Sequence, residues 1–381
     1  MTLVLQAVDM RGPSRWRWLL TDEESGQPLA DHQVVLEVDA ARLRAFGGVS
    51  GHVRSYAAPD RRAEDEARPV AELGAWAGTV LLGERIGAAI VKAAPVTVRV
   101  TADFAVGWLL ELAYVAGVPL AARGDVSLVY ASAGAPGPPK AEVTGALRLL
   151  AVFSQPTRTS VLALRQERYA LGRLIRRLAA TQRRMVELTV VQYGVTREKL
   201  AQIADTGAGW DVLHLSGHGG PGAFLLERAD GVTGPGGRRG PGGDAASGAA
   251  PGEAGVVPAC ESAAAATAQT LRLIGLEAQV DQVDQVEDPD AGTSQGSAGI
   301  AAALVDALDC AVVAMRYPVD DEFAIGFGAM LYEHVLGPGQ PVDVAVARAL
   351  TRASGVALAT PGLFGARAAG LQLRVPAGQC H

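Results

Sequence analysis

Asp211-Val212-Leu213-His214-Leu215-Ser216-Gly217-His218-Gly219-Gly220 is the stretch that decides the fold of this chain. A short apolar run stops at a histidine set among glycines. Further on, Val256-Val257-Pro258-Ala259 stops at Cys260-Glu261-Ser262. In an open α/β sheet, reactive groups collect at the carboxyl ends of neighbouring strands. A strand ending in His beside one ending in Cys brings a base to a thiol. A cysteine nucleophile needs that arrangement, because the thiolate attacks and an imidazole generates it.

Outward from this pair the pattern is strand–helix alternation. Leu147–Phe153, Val186–Gln192 and Asp211–Ser216 read as strands, with helices over Ser160–Arg184 and Thr196–Thr206 between them. Helices follow over about 263–277 and 297–308, then the strand Cys310–Met315, then helices over Asp321–Leu336 and Val342–Ser354. Such alternation predicts a mostly parallel sheet covered by helices on both faces.

Before it lies a different region. Residues 1–142 read as β-rich, with strands at Leu3–Val8, Arg15–Leu20, Gln33–Val38, Val96–Val100 and Val126–Tyr130. One long helix is expected from Pro69 to about Ala93, on the apolar spacing of Leu73, Trp76, Val80, Leu81, Ile86 and Ile90. Ala131–Lys140, rich in Gly and Pro, reads as a linker. The expected domains are therefore 1–142, then 143–376, with 377–381 a tail.

Composition narrows the function. The chain has 381 residues, 49% hydrophobic and 19% charged, enough for two domains with large cores. A net charge of −6 gives no reason to expect nucleic acid. Three Cys in a chain this long are no disulfide framework, which points to a reducing compartment. The start lacks the basic and apolar regions of a signal peptide, and no long apolar stretch suggests a membrane span. The expectation is a cytoplasmic protein without cofactor or metal.

His218 and Cys260 each admit a bland reading: a turn histidine after a strand, and a small buried hydrophobe. The functional reading makes His218 a base in a Gly-rich turn whose free N–H groups donate to an oxyanion. It makes Cys260 a thiol at a helix amino terminus, which lowers its pKa. Cys310 opens an apolar strand and reads as core; Cys380 lies in the tail.

Three motifs together are more specific. Asp-Val-Leu-His-Leu-Ser-Gly-His-Gly (211–219), Ala-Cys-Glu-Ser-Ala (259–263) and Ala-Val-Val-Ala-Met-Arg-Tyr-Pro-Val-Asp-Asp-Glu (311–322) resemble the CHAT domain. That family is a caspase-like group of cysteine peptidases, related to separase and the caspase–haemoglobinase fold. Pro341–Arg348 resembles its C-terminal helix, and the resemblance covers about 147–354. It implies a caspase-like α/β fold, His218 as catalytic base, Cys260 as nucleophile, and the Gly219 and Cys260 N–H groups as oxyanion donors. It implies a protein or peptide substrate, with specificity set by loops near the Cys and after the next strand. Family members are often joined to regulatory sensor or repeat modules; the motifs of neither occur here.

The chain departs from the family between the two motifs. Gly231–Gly255 holds ten Gly and three Pro in place of a helix and a full strand. This predicts a disordered insertion and a strand reduced to Val256-Val257. With Pro258 just before Cys260, the nucleophile is expected to be loosely held and activity weakened. A non-catalytic signalling or scaffold module on the same fold is the rival reading.

Other motifs carry less. Gly217–Gly222 fits a dinucleotide-binding pattern, yet Ala223-Phe224-Leu225-Leu226 beyond it looks extended rather than helical. Gly292-Thr293-Ser294-Gln295-Gly296 fits a serine-hydrolase elbow, yet the acidic 281–290 segment before it is no strand. Arg165, Arg168, Arg173, Arg176, Arg177, Arg183 and Arg184 read as the wet face of a long helix. Asp320 and Asp321 either line a substrate pocket for a basic side chain or cap the next helix, the commoner use of Asp there.

Overall fold

The computed structural model describes residues 1–11, 14–36, 62–131, 146–157, 159, 161–182, 185–204, 209–220, 223–228, 231, 254–257, 300–317 and 319–373. Contacts divide the chain into two compact units. The first takes Met1–Ala135 and Leu350–Gly362; the second takes Pro136–Ala264, Ala298–Ala349 and Leu363–His381.

In the first unit, β1 (Thr2–Val8), β2 (Arg15–Asp22), β3 (Pro28–Val35), β4 (Val96–Val100) and β5 (Val126–Tyr130) form a mixed sheet in the order β3-β2-β1-β4-β5. β1, β2 and β3 are antiparallel neighbours, while β4 runs parallel to both β1 and β5. β2 alternates: Trp16, Trp18 and Leu20 face the core. The Trp16 ring meets Trp18 edge-on at 5.8 Å and Trp108 at 6.1 Å. These large side chains supply much of the buried apolar area here.

The long helix expected over 69–93 is broken. α1 (Arg62–Trp76) runs through Pro69, a six-residue π-helical stretch follows over Ala77–Leu82, and α2 (Glu84–Ala93) restarts after Gly83. Gly83 has φ +81°, and a Cβ there would lie 2.3 Å from the His32 ring. Apolar spacing alone does not register that close approach, because it reads side chains and not backbone. The segment from Asp103 to Arg123, without a clear apolar period, is a series of short 3-10 turns with a two-stranded ribbon of Tyr114–Val115 and Val118–Pro119.

The second unit has a parallel sheet. β6 (Leu147–Ser154), β7 (Val186–Gln192), β8 (Val212–Gly217), β9 (Ala254–Val257) and β10 (Ala311–Met315) lie in the order β10-β9-β8-β6-β7, every neighbouring pair parallel. β6 and β10 are buried almost without a break, as in sheets covered on both faces. The helices are α3 (Leu164–Gln182), α4 (Arg197–Ala204), α5 (Ile300–Leu308), α6 (Asp321–Leu336) and α7 (Val342–Leu350). α3 buries Leu164, Leu171, Leu174, Ile175 and Leu178 and exposes Arg165, Arg168, Arg173, Arg176 and Arg177. A last strand, Pro361–Phe364, is buried throughout and was not foreseen in the sequence.

β9 has four residues, two more than the apolar pair Val256-Val257 suggests. Backbone pairing on both sides draws in Ala254 and Gly255 despite their small side chains. The expected disordered insertion 231–255 therefore ends in ordered strand. Its residues 232–253 lie outside the described residues, as do the linker 132–140, the helix expected over 263–277, the acidic 281–290 segment and Cys260.

Candidate functional site

All five parallel strands end on one edge of the sheet of the second unit, and β8 delivers His218 to it. The turn there is built for close approach. A Cβ on Gly217 would lie 2.6 Å from the Ser154 carbonyl oxygen and about 3.1 Å from the Phe224 ring. After His218, Gly219–Gly220 fold back on Ala223–Phe224 as an antiparallel ribbon, with Gly219 opposite Phe224. This is no helix, so the dinucleotide-binding pattern lacks its phosphate-binding element.

The returning chain is stapled across the strand ends. The Leu225 N–H donates to the His218 carbonyl, and Ser154 Oγ donates to the Leu225 carbonyl at 2.8 Å. Glu227, 9% exposed, accepts from the Gln155 N–H at 3.2 Å and the Gly194 N–H at 2.6 Å. One carboxylate thus ties the ends of β6 and β7 to the loop carrying His218. His218 itself is half-buried.

Beneath the turn lies a polar cluster inside the core. Ser216 Oγ donates to Glu167 Oε2, and His214 Nε2 stands 3.2 Å from Glu167 Oε1, an ion-pair distance rather than an aligned hydrogen bond. On its other side, His214 Nδ1 is 3.1 Å from the Tyr332 hydroxyl. Burial pushes the Tyr332 phenol well above its ordinary pKa, so it keeps its proton. The Phe153 ring covers His214 at 5.6 Å. Although Ser, His and Glu meet here, this is no hydrolase triad. The serine bonds the carboxylate instead of the imidazole, and all three are buried.

A cavity of about 20 Å³ adjoins the cluster, with Glu167, Ser216, Gly217, Asp321, Leu162 and Ile325 among its lining. It has room for about one water. Asp321 Oδ2 accepts from the Ala163 N–H at 2.7 Å, at the start of α3. Asp320 caps α6, its Oδ1 accepting from the Phe323 N–H at 2.7 Å. Both Asp side chains therefore serve helix ends, and Asp321 also faces the cavity.

Of the residues singled out in the sequence, His218 and Gly219 lie on the strand edge, Asp321 lines the neighbouring cavity, and Cys260 is outside the described residues. Cys310 is buried, its thiol pushed up to about 11 by desolvation, so it stays protonated and unreactive. Glu167, Ser216 and Tyr332 were missed. Glu167 left a signal: a carboxylate three residues after Leu164 and four before Leu171, on the apolar stripe of α3. Among the described residues no His, Cys, Asp and Glu group could hold a metal ion, and no helix is long and apolar enough to cross a membrane.

No family model and no curated protein sequence matches the chain. A solved structure does. The crystal structure of the Saccharomyces cerevisiae separase–securin complex is similar over 96% of this chain, with a TM-score of 0.55 and 10% identity. The fold is caspase-like. The chain spans 30% of the length of that separase chain, so the likeness speaks to architecture alone. The Arg-specific cysteine proteinase gingipain R aligns over 88% of this chain and 78% of its own, with a TM-score of 0.42 and 10% identity.

Proposed function

We propose that the chain is a CHAT-type cysteine endopeptidase, its catalytic domain running over 143–376. One observation supports this most. β8 and β9 are adjacent and parallel, and every registered pair between them, Val212 with Ala254 to His214 with Val256, is offset by 42 residues. The same offset separates His218 from Cys260. That shared offset is what supports reading His218 as the base for the Cys260 thiol.

In this reading His218 takes the Cys260 proton and the thiolate attacks the scissile carbonyl carbon. The Gly219 and Cys260 N–H groups receive the oxyanion. The amine leaves with the proton from His218, and water then releases the acyl group. Asp320 and Asp321 remain the candidates for contacting a basic side chain of the substrate. A carboxylate that accepts one backbone N–H keeps further lone pairs, so capping and recognition are compatible. No cofactor enters the scheme, and the substrate is a protein or peptide.

The described part of β9 has four residues, and Pro258, just before the nucleophile, has no N–H to carry the ladder onward. Small misplacement of a reacting group can cost on the order of a hundredfold in rate. Activity of the isolated chain is therefore expected to be weak. A scaffold role on the same fold is the second reading, and the Gly- and Pro-rich sequence ahead of Val256, with Pro258 beyond it, favours it.

The test is hydrolysis of a peptide library by the chain, Cys260→Ala and His218→Ala. Cleavage lost in both variants supports the peptidase. A properly folded chain that cleaves nothing, or cleaves equally well without Cys260, supports the scaffold reading instead.

A further inference from the structure

Glu167 holds two side chains of the strand that leads to His218. Alternate residues of a strand share a face. His214 and Ser216 meet the same carboxylate, and His218 follows directly after the strand ends at Gly217. We propose that Glu167 is a positioning residue for His218, clamping the strand end so that the imidazole leaves the sheet at one angle. This rests on reading His218 as the base.

The parallel ladder of β8 with β6 runs from Val212 to Gly217, paired with Ser154, and the Leu225 N–H bonds the His218 carbonyl. These bonds hold the backbone, and the anchors at 214 and 216 hold the side chains of the strand that leads into the turn. Tyr332 of α6 secures His214 from the opposite side, which leaves the His214 ring one orientation.

The cluster is also a poor choice for packing alone. Glu167 is 8% exposed and His214 2%. Burying a carboxylate costs free energy that Leu or Met at that point of α3 would not incur. What a buried polar cluster supplies is a restricted geometry, since its members fit in few arrangements. A strand end that presents a proton-transfer group has use for that.

The experiment is NMR of the full-length chain with ¹³C-labelled histidine rings, His218 being assigned by its loss in His218→Gln. Glu167→Gln presents an amide N–H₂ where an acceptor is needed, and Ser216→Ala removes one arm of the clamp with little change in volume. Each is expected to move the His218 ring signals while those of His32, in the other unit, stay in place. Ser216→Thr, which keeps the hydroxyl, should leave the His218 signals as in the natural chain. Unchanged His218 signals in folded Glu167→Gln and Ser216→Ala would overturn the proposal. The measurement reads a ring and not a reaction. A displaced His218 therefore supports positioning even in a chain that cleaves no peptide, while failure of the peptidase reading is registered separately by the hydrolysis assay.

Discussion

His214 and Val256 are register partners on adjacent parallel strands, and each stands four residues ahead of a candidate reactive side chain. In a parallel pair both chains advance in the same direction, so residues at equal distance beyond a registered pair tend to emerge at the same level. That register is what supports the proposed pairing of His218 with Cys260 at the carboxyl edge of the sheet. The loop after His218 is held to that edge by Glu227 and Ser154, and the strand below it by Glu167.

Glu227→Ala should loosen the His218 loop without unfolding the unit. It removes the acceptor of the Gln155 and Gly194 N–H groups, two part-buried bonds each worth about 1 kcal/mol. Hydrogen exchange at these two amides is expected to accelerate at least about tenfold, with the β6 core amides unchanged. Unaltered exchange at Gln155 and Gly194 would show that the staple carries no weight.

Cys310 gives a pH dependence. Its thiol rises from 9.0 to about 11 in the folded chain, chiefly through desolvation. The folded state keeps its proton where the unfolded state loses it. The contribution is therefore complete below pH 9 and is lost as pH climbs from about 9 to 11, on the order of 2 kcal/mol in all. Urea melts at about pH 8.5 and about pH 11 should show a larger drop for the natural chain than for Cys310→Ala. Equal drops would refute the assignment.

Gly83→Ala tests the break in the helical run of the first unit. Alanine there meets both the positive φ and the His32 ring. Such backbone strain costs about 1–3 kcal/mol. A thermal melt lowered by several degrees is expected, and an unchanged one would mean that the turn relaxes freely.

Much of the second unit was legible in the sequence. β7, β8 and α6 appear within a residue of their expected limits, because each is a short apolar run or stripe bounded by polar or Gly residues. The extra length of β9 was not legible: Ala254 and Gly255 carry no strand signal and are recruited by partners on both sides. Helix propensity overran Gly83, whose constraint comes from His32, about fifty residues earlier in the chain. In the site, the turn histidine stood out because its surroundings are glycine. Glu167 did not, since a single carboxylate on an apolar stripe makes sense only once Ser216 and His214 are seen to face it. The Asp320-Asp321 pair was open between pocket and cap; the backbone N–H groups of Phe323 and Ala163 are what each contacts.

The central claim, that His218 activates Cys260, is tested most directly by the site-resolved rate at which Cys260 is alkylated by iodoacetamide across pH. An unperturbed thiol reacts with a midpoint near its free pKa of about 8.5. Rapid alkylation of Cys260 is expected, with a midpoint at least about one unit lower and a loss of roughly tenfold or more at about pH 7 in His218→Ala. Cys310 should stay unmodified in the folded chain. A Cys260 that titrates like a free thiol, at the same rate with and without His218, would contradict the account.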